Sequence, residues 1–227
     1  MPDAAHIVSD VMTEPAVTVG RGTRFKEIAR TMDRHRVSAL PVVEGDGRVA
    51  GVVSEADLLP KEEFRGRGPA RLTRPERIRR RADLARARAL TAGELMTAPA
   101  VTVRGDDTLA RAARIMAVHH VKRLPVVGAD GRLRGVVSRG DLLKVFLRPD
   151  EDIEEEVRRT VVSYLFPALA HAVRVSVRDG VVTLRGPVHD TSLIWVAERL
   201  VRAVEGVVGV ETRLGATAAG PGGPEPR

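Results

Sequence analysis

Gly51-Val-Val-Ser-Glu-Ala-Asp57 returns 84 residues later as Gly135-Val-Val-Ser-Arg-Gly-Asp141. Outward from these stretches the likeness continues. Asp46-Gly47-Arg48 matches Asp130-Gly131-Arg132, and Leu40-Pro-Val-Val43 matches Leu124-Pro-Val-Val127. Further back, Met12-Thr-Glu-Pro-Ala-Val-Thr-Val19 matches Met96-Thr-Ala-Pro-Ala-Val-Thr-Val103. Val8–Leu59 lies on Ala92–Leu143 without a gap, and 26 of the 52 positions carry the same residue. A repeat of this length is one supersecondary unit that buries its apolar face against a copy of itself. Any pocket made by the pair should therefore come twice, related by pseudo-symmetry.

Each copy spells the same order of elements. A short helical start at Asp10-Val-Met12 or Glu94-Leu-Met96 ends at Thr-x-Pro, because proline drives the preceding residue out of helical geometry. Val17-Thr-Val19 and Val101-Thr-Val103 read as brief strands. Thr23 and Asp107 stand where N-caps belong. Apolar residues then follow at helical spacing: Phe25, Ile28, Ala29 and Met32, or Leu109, Ala112, Ala113 and Met116. The Asp-Gly pairs at 46–47 and 130–131, set between apolar runs, predict hairpins. Ser54 and Ser138 open the last helix of each unit. The class is α/β, as a pseudo-symmetric pair of units.

A third segment follows Leu147-Arg-Pro-Asp150. Ile153, Val157, Val161 and Leu165 recur every four residues and predict a helix over 152–169. Alternation at Val173, Val175 and Val177, a turn at Asp179-Gly180 and the return through Val182-Thr-Leu184 predict a hairpin. A helix over 192–204 and a strand over 206–214 complete an α-β-β-α-β domain. The expected organisation is a first repeat at 1–60, a linker at 61–91, a second repeat at 92–147, the α-β-β-α-β domain at 148–215 and a tail at 216–227. The tail is rich in Gly, Pro and Ala and reads as disordered.

Composition narrows the function. The chain has no cysteine, which removes disulfides, thiolate metal sites and cysteine nucleophiles together. Aromatic residues make up 3%, too few for a base-stacking platform. The start of the chain lacks a basic, then apolar, secretory pattern. No apolar run approaches the roughly 18 residues of a spanning helix, so the expected location is the cytoplasm. Residues 61–90 hold 11 Lys or Arg against 4 Asp or Glu, a net of +7. The whole chain is also +7, so the excess positive charge lies wholly in the linker, densest at Arg77-Ile-Arg-Arg-Arg81. Such a run keeps a connector extended and soluble, or serves as an arm for a polyanion. No recognition helix or zinc finger accompanies it, which speaks against sequence-specific DNA binding.

Ser54/Asp57 and Ser138/Asp141 carry most of the chemistry. A serine at N-cap with an acidic residue three positions on makes a capping box. The same start of a helix exposes backbone N–H groups suited to phosphate, and a carboxylate can accept bonds from two neighbouring ribose hydroxyls. One set of residues could therefore both cap a helix and hold a nucleotide.

With these motifs in register twice, the repeat resembles a cystathionine-β-synthase-type (CBS) domain pair, the Bateman module, over 8–59 and 92–143. The resemblance implies a regulatory module that binds adenine nucleotides or related adenosyl ligands in clefts between the repeats. It further implies that Ser54 and Ser138 give hydroxyls to phosphate, that Asp57 and Asp141 take ribose, and that adenine packs by Val17-Thr18 and Val101-Thr102. Similar modules place basic residues before Leu-Pro-Val-Val. Lys122 and Arg123 stand there in the second copy and Ser38-Ala39 in the first, so the site drawing on Lys122 and Arg123 is the expected triphosphate site. A homodimer is expected on the same family grounds.

The third segment resembles a BON domain over about 150–215. It carries Gly180-Val-Val-Thr-Leu-x-Gly186-x-Val188, Ala197-Glu-Arg-Leu-Val201 and Val204-Glu-Gly-Val207. That family is associated with phospholipid or the cell envelope. Three functions compete: a sensor of adenine nucleotides, with no cofactor required; an adaptor on anionic phospholipid; and a nucleic-acid-associated protein using the Arg-rich linker. His35 and His119 fall at matching helix ends without further ligands at metal spacing. Glu154-Glu-Glu156 reads as a solvated helix start, and Trp195 as core or interface. No catalytic constellation is visible.

Overall fold

The computed structural model describes residues 7–64 and 83–216. The chain divides into two compact units, one ending at Leu142 and the other beginning at Leu143.

The first unit holds two three-stranded sheets. In the first repeat, β1 (Val19–Gly20) lies parallel to β2 (Ala39–Val43), which is antiparallel to β3 (Val49–Ser54). The second repeat reproduces this with β4 (Val103–Arg104), β5 (Arg123–Val127) and β6 (Leu133–Ser138). A parallel pair needs a crossover. It is supplied by α2 (Phe25–His35) and α7 (Leu109–Val118). Each crossover helix presents an apolar stripe, with Ile28 and Met32, or Ala112 and Met116, buried. Each ends in paired bonds around a left-handed residue, Arg36 (φ 53) or His120 (φ 54). Val37 N–H donates to Met32 O and Val121 N–H to Met116 O, both at 3.0 Å. This helix stop satisfies carbonyls that would otherwise be orphaned.

The repeats exchange their first segments. Short helices α1 (Val8–Val11) and α6 (Ala92–Leu95) open the copies, but each bonds to the opposite one. Ala92 and Gly93 donate to Thr23 and Arg21 carbonyls at 2.9 Å, and Val8 and Ser9 to Asp107 and Gly105 at 2.9 and 3.0 Å. Thr97 and Val52 exchange both backbone bonds, as do Thr13 and Val136. The first core accordingly joins Ile28, Leu40, Val42 and Val53 to Ala89, Ala92 and Leu95. The crossing requires bare backbone at Gly51 and Gly135. A Cβ on Gly51 would stand 2.6 Å from Met96 Sδ and 2.8 Å from the Thr97 carbonyl. A Cβ on Gly135 would meet Met12 Sδ and the Thr13 carbonyl, both at 2.8 Å. The Glu14–Pro15 and Ala98–Pro99 bonds beside these crossings are cis.

In the second unit, β7 (Arg174–Arg178) pairs antiparallel with β8 (Val181–Val188), which runs parallel to β9 (Gly209–Ala216). Helix α9 (Asp150–Val157) runs through a π-helical stretch, Arg158–Val162, into α10 (Ser163–Leu165). Helix α11 (Ile194–Val201) is the second helix of this domain. The core gathers Ile153, Val157, Val161, Val162, Leu184, Ala197 and Val201 around the sheet.

Several sequence expectations move. Thr23 and Asp107 are not N-caps: Arg24 and Thr108 hold those positions. Thr23 Oγ1 instead accepts from Gly20 N–H and Asp107 Oδ2 from Arg104 N–H, closing the turn one residue earlier. The strands expected at 17–19 and 101–103 are two residues each and shifted, Val19–Gly20 and Val103–Arg104, which leaves Val17-Thr18 and Val101-Thr102 before them. The helix expected at 152–169 begins at Asp150 and contains the π turn. Apolar spacing of four exceeds 3.6 residues per turn. The wider turn takes up the drift, and Val161 and Val162 are both buried as a result. Hydroxyl bonds from Thr160 to the Glu156 carbonyl and from Ser163 to the Arg158 carbonyl accompany it. The helix expected at 192–204 is α-helical only over 194–201, following a 3-10 turn whose Ser192 N–H donates to Asp190. Ala216 belongs to β9 rather than to the tail, and Trp195 is 63% exposed. Arg77–Arg81 and residues 217–227 lie outside the described residues.

Gly51→Ala should cost about 1–3 kcal/mol in urea unfolding, whereas Gly45→Ala, whose Cβ would meet nothing within 4 Å, should be near neutral. Equal stability of the two variants would contradict the crossing geometry. A pH test comes from Glu94, whose carboxylate accepts from Leu90 and Thr91 N–H at 2.7 and 3.1 Å. Those two bonds hold its pKa below the ordinary value of 4.5. A depressed carboxylate stabilises the fold above its unfolded-state pKa, and that contribution is lost as pH falls through the folded value. Glu94→Gln should therefore flatten the acid side of a stability–pH curve below about 4.5, leaving the neutral side unchanged in shape.

Candidate functional site

Each Ser-x-x-Asp stretch begins where a sheet strand runs into a short helix, α3 (Glu55–Leu58), continued by α4 (Pro60–Glu63), or α8 (Arg139–Leu143). The capping box expected from sequence is present in both copies. Ser54 N–H and Oγ donate to Asp57 Oδ2 at 2.8 and 2.7 Å. Ser138 N–H and Oγ donate to Asp141 Oδ2 at 2.9 and 2.7 Å. Asp57 is the buried charged residue among the described residues, at 7% exposure. A buried carboxylate is costly unless its lone pairs are occupied. Its second oxygen, Oδ1, is met by Arg86 Nε at 3.1 Å.

Asp57 opens on a cleft of about 280 Å³. That is near the lower end of the roughly 300–1,000 Å³ common for small-ligand sites. One wall comes from the first repeat, with Ser38, Ala39, Ser54 and Asp57; the other is Pro99, Ala100 and Val101 with His120, Lys122 and Arg123 of the second. The exchange of opening segments makes this composite wall. The Thr97–Val52 bridge holds the segment leading to Val101 against β3, and the left-handed helix stop turns His120 and Val121 toward the same space.

Of the residues singled out in the sequence, Ser54, Asp57, Val101, Lys122 and Arg123 line this one cleft. Thr102 is half-buried and lies outside the lining. Val17, Thr18, Ser138 and Asp141 belong to the pseudo-symmetric position, where Thr13 bridges Val136 as Thr97 bridges Val52. Arg123 also pairs in register with Ser138 across β5 and β6, so it lines the Ser54 cleft and neighbours Ser138 on its own sheet. Thr97, Pro99, Ala100 and His120 went unread as site residues. For the first three the signal was available: the Met-Thr-x-Pro-Ala stretch repeats as faithfully as Ser-x-x-Asp, but repetition does not say that it crosses to the other copy; His120 carries no such signal, since Arg36 holds its place in the first copy.

Comparison with known proteins agrees with this architecture. The family model described as CBS domain matches residues 8–61 and 92–148, and that described as BON domain matches 149–216. The chain is a tandem CBS pair followed by a BON domain. The pair is similar to uncharacterized protein MJ1426 of Methanocaldococcus jannaschii, 29% identical over an alignment of 154 positions that covers 62% of this chain and 91% of that protein. It is 27% identical to the chloroplastic CBS domain-containing protein CBSX2 of Arabidopsis thaliana over an alignment of 167 positions that covers 67% of this chain and 68% of that one. Among solved structures, CBSX2 in complex with AMP superposes with a TM-score of 0.55 at 28% identity, covering 63% of this chain and 97% of that chain.

The BON domain has its own concavity along edge strand β7, about 1040 Å³ in volume. Arg174, Arg185 and Arg213 stand in one cross-strand row on its sheet. All the charged side chains lining the concavity are exposed, unlike Asp57. No helix of the described residues is long and apolar enough to cross a membrane, and no cluster of metal-ligating side chains occurs among them.

The capping box carries a measurable share of stability. Ser54→Ala and Ser138→Ala should each lower it by about 1 kcal/mol in chemical denaturation; no loss in either would mean that the serines do not cap.

Proposed function

We propose that the CBS pair is a non-catalytic sensor of adenine nucleotides or a related adenosyl ligand, and that occupation is relayed to the BON domain or a partner. The observation that carries this reading is the buried Asp57 carboxylate facing a composite cleft with Lys122 and Arg123 on the opposite wall. A carboxylate of this kind is an acceptor for a ribose diol, and the two cations complement phosphate. Val101 and Pro99 offer apolar surface for a base. Thr102, Val17 and Thr18 belong to the same reading as contacts from the segments just before β4 and β1, with Ser138 and Asp141 serving the second cleft. The AMP carried by CBSX2 supports this ligand class. The active form is proposed to be a homodimer, for which Leu59 and Val118, 57% and 73% exposed, offer apolar surface.

Mechanistically, the ligand joins the two repeats, since the cleft's walls come from both. It favours whichever arrangement of the pair binds it more tightly, and shifts the balance only by that difference. At about 100 times its dissociation constant a ligand stabilises the fold by roughly 2.7 kcal/mol. Thermal shift with AMP, ADP, ATP and S-adenosylmethionine should therefore show a rise of several degrees for at least one of them. The rise should vanish in the Asp57→Ala, Asp141→Ala double variant. Absence of any shift with all four would overturn the reading.

A further inference from the structure

The stretch that joins the repeats returns to the first repeat before entering α6. Residues 83–88 are helical and form α5. Four contacts hold this return. Arg86 Nε lies 3.1 Å from Asp57 Oδ1, an ion pair whose side chains are 30% and 10% exposed. Lys61 Nζ donates to the Ala87 carbonyl at 3.0 Å and sits 4.9 Å from the centre of the Phe25 ring. Phe25 N–H donates to the Leu90 carbonyl at 2.9 Å, and Ala89 enters the first core at 5% exposure.

Counting acceptors shows what this contact does to the cleft. A carboxylate offers about four lone-pair positions. Two, on Oδ2, are taken by Ser54 N–H and Oγ, and one, on Oδ1, by Arg86. One remains. A vicinal diol brings two donors, so Asp57 cannot accept both while Arg86 holds Oδ1. Binding of a ribose-bearing ligand and docking of α5 are therefore in competition for one oxygen.

We propose that Arg86 is a latch: it docks the end of the inter-repeat linker on Asp57, and a ribose-bearing ligand in the cleft displaces it. The nucleotide reading of the cleft is presupposed. Under this latch the linker, which carries the whole excess of positive charge, is the part of the chain that reports occupation. The coupling is reciprocal: whatever draws α5 away from Asp57 tightens the cleft for its ligand by the same factor that the ligand loosens α5.

The sign of one substitution separates this role from ordinary electrostatics. If Arg86 merely attracted an anionic ligand, Arg86→Gln would weaken binding. As a latch, its removal frees Oδ1 and tightens binding, by roughly fivefold for an ion pair worth about 1 kcal/mol. The test uses the full chain with Asp141→Ala throughout, so that calorimetric titration with AMP reports the Asp57 cleft alone. Arg86→Gln should lower the dissociation constant about fivefold. Arg88→Gln removes the same charge from an exposed position on α5 and should leave the constant unchanged. Hydrogen–deuterium exchange at amides 84–90 should quicken when AMP is added. AMP binding that Arg86→Gln leaves unchanged or weakens, or exchange that AMP slows, would overturn the latch alone. No binding of AMP, ADP, ATP or S-adenosylmethionine by the unsubstituted chain or the Asp141→Ala protein would overturn the nucleotide reading and the latch with it.

Discussion

The backbone crossing between the copies is the constraint on which the first unit rests. Thr97 and Val52 trade hydrogen bonds, as do Thr13 and Val136, and each crossing fits only because a glycine lies beneath it. From this contact follow the composition of the first core, with Leu95 buried in the first copy's interior, and the mixed ancestry of the cleft walls. Backbone groups carried across to another sheet must find partners there, so the crossing is specified by hydrogen bonding as well as by apolar burial. The methionines supply a flexible side chain that settles against the bare, buried glycine backbone, a use suited to an adaptable thioether.

Much of this was legible in the chain. The 84-residue repeat announced duplicated architecture, period-two and period-four patterns placed the sheets and helices, and Ser-x-x-Asp announced both capping boxes. Local signals failed where they were ambiguous over one or two residues. Thr23 and Asp107 have the chemistry of N-caps, yet the turn after the first strand takes their oxygens before the helix can. In the BON domain, a spacing of four reads as helix but does not reveal that a π turn reconciles it with 3.6 residues per turn. The composite cleft lay further out of reach. A repeat in register says which residues are equivalent, not which copy's strand lies against which copy's helix, because that is a property of tertiary packing.

The contrast between the two basic features of the molecule is a matter of burial. On the BON sheet, Arg174, Arg185 and Arg213 align across three strands on a solvated face, where water and counterions moderate like-charge repulsion. Arg86, by contrast, meets a carboxylate withdrawn from water. Interactions there are screened less, and removal of one partner leaves the other poorly solvated. Charge density alone would have pointed to the linker's arginine run or to the BON sheet; accessibility points to a single arginine at the linker's end.

Because each copy completes its interior with a segment of the other, neither half of the pair is a finished folding unit. A lone ancestral copy would have met the same need only by trading its opening segment with a second chain. The first unit can thus be seen as a domain-swapped dimer made continuous by a linker. Its present form frees the copies to diverge. One could gain Lys122 and Arg123 while the other kept Ser38 and Ala39, an asymmetry that two identical chains in a symmetric dimer could never have acquired.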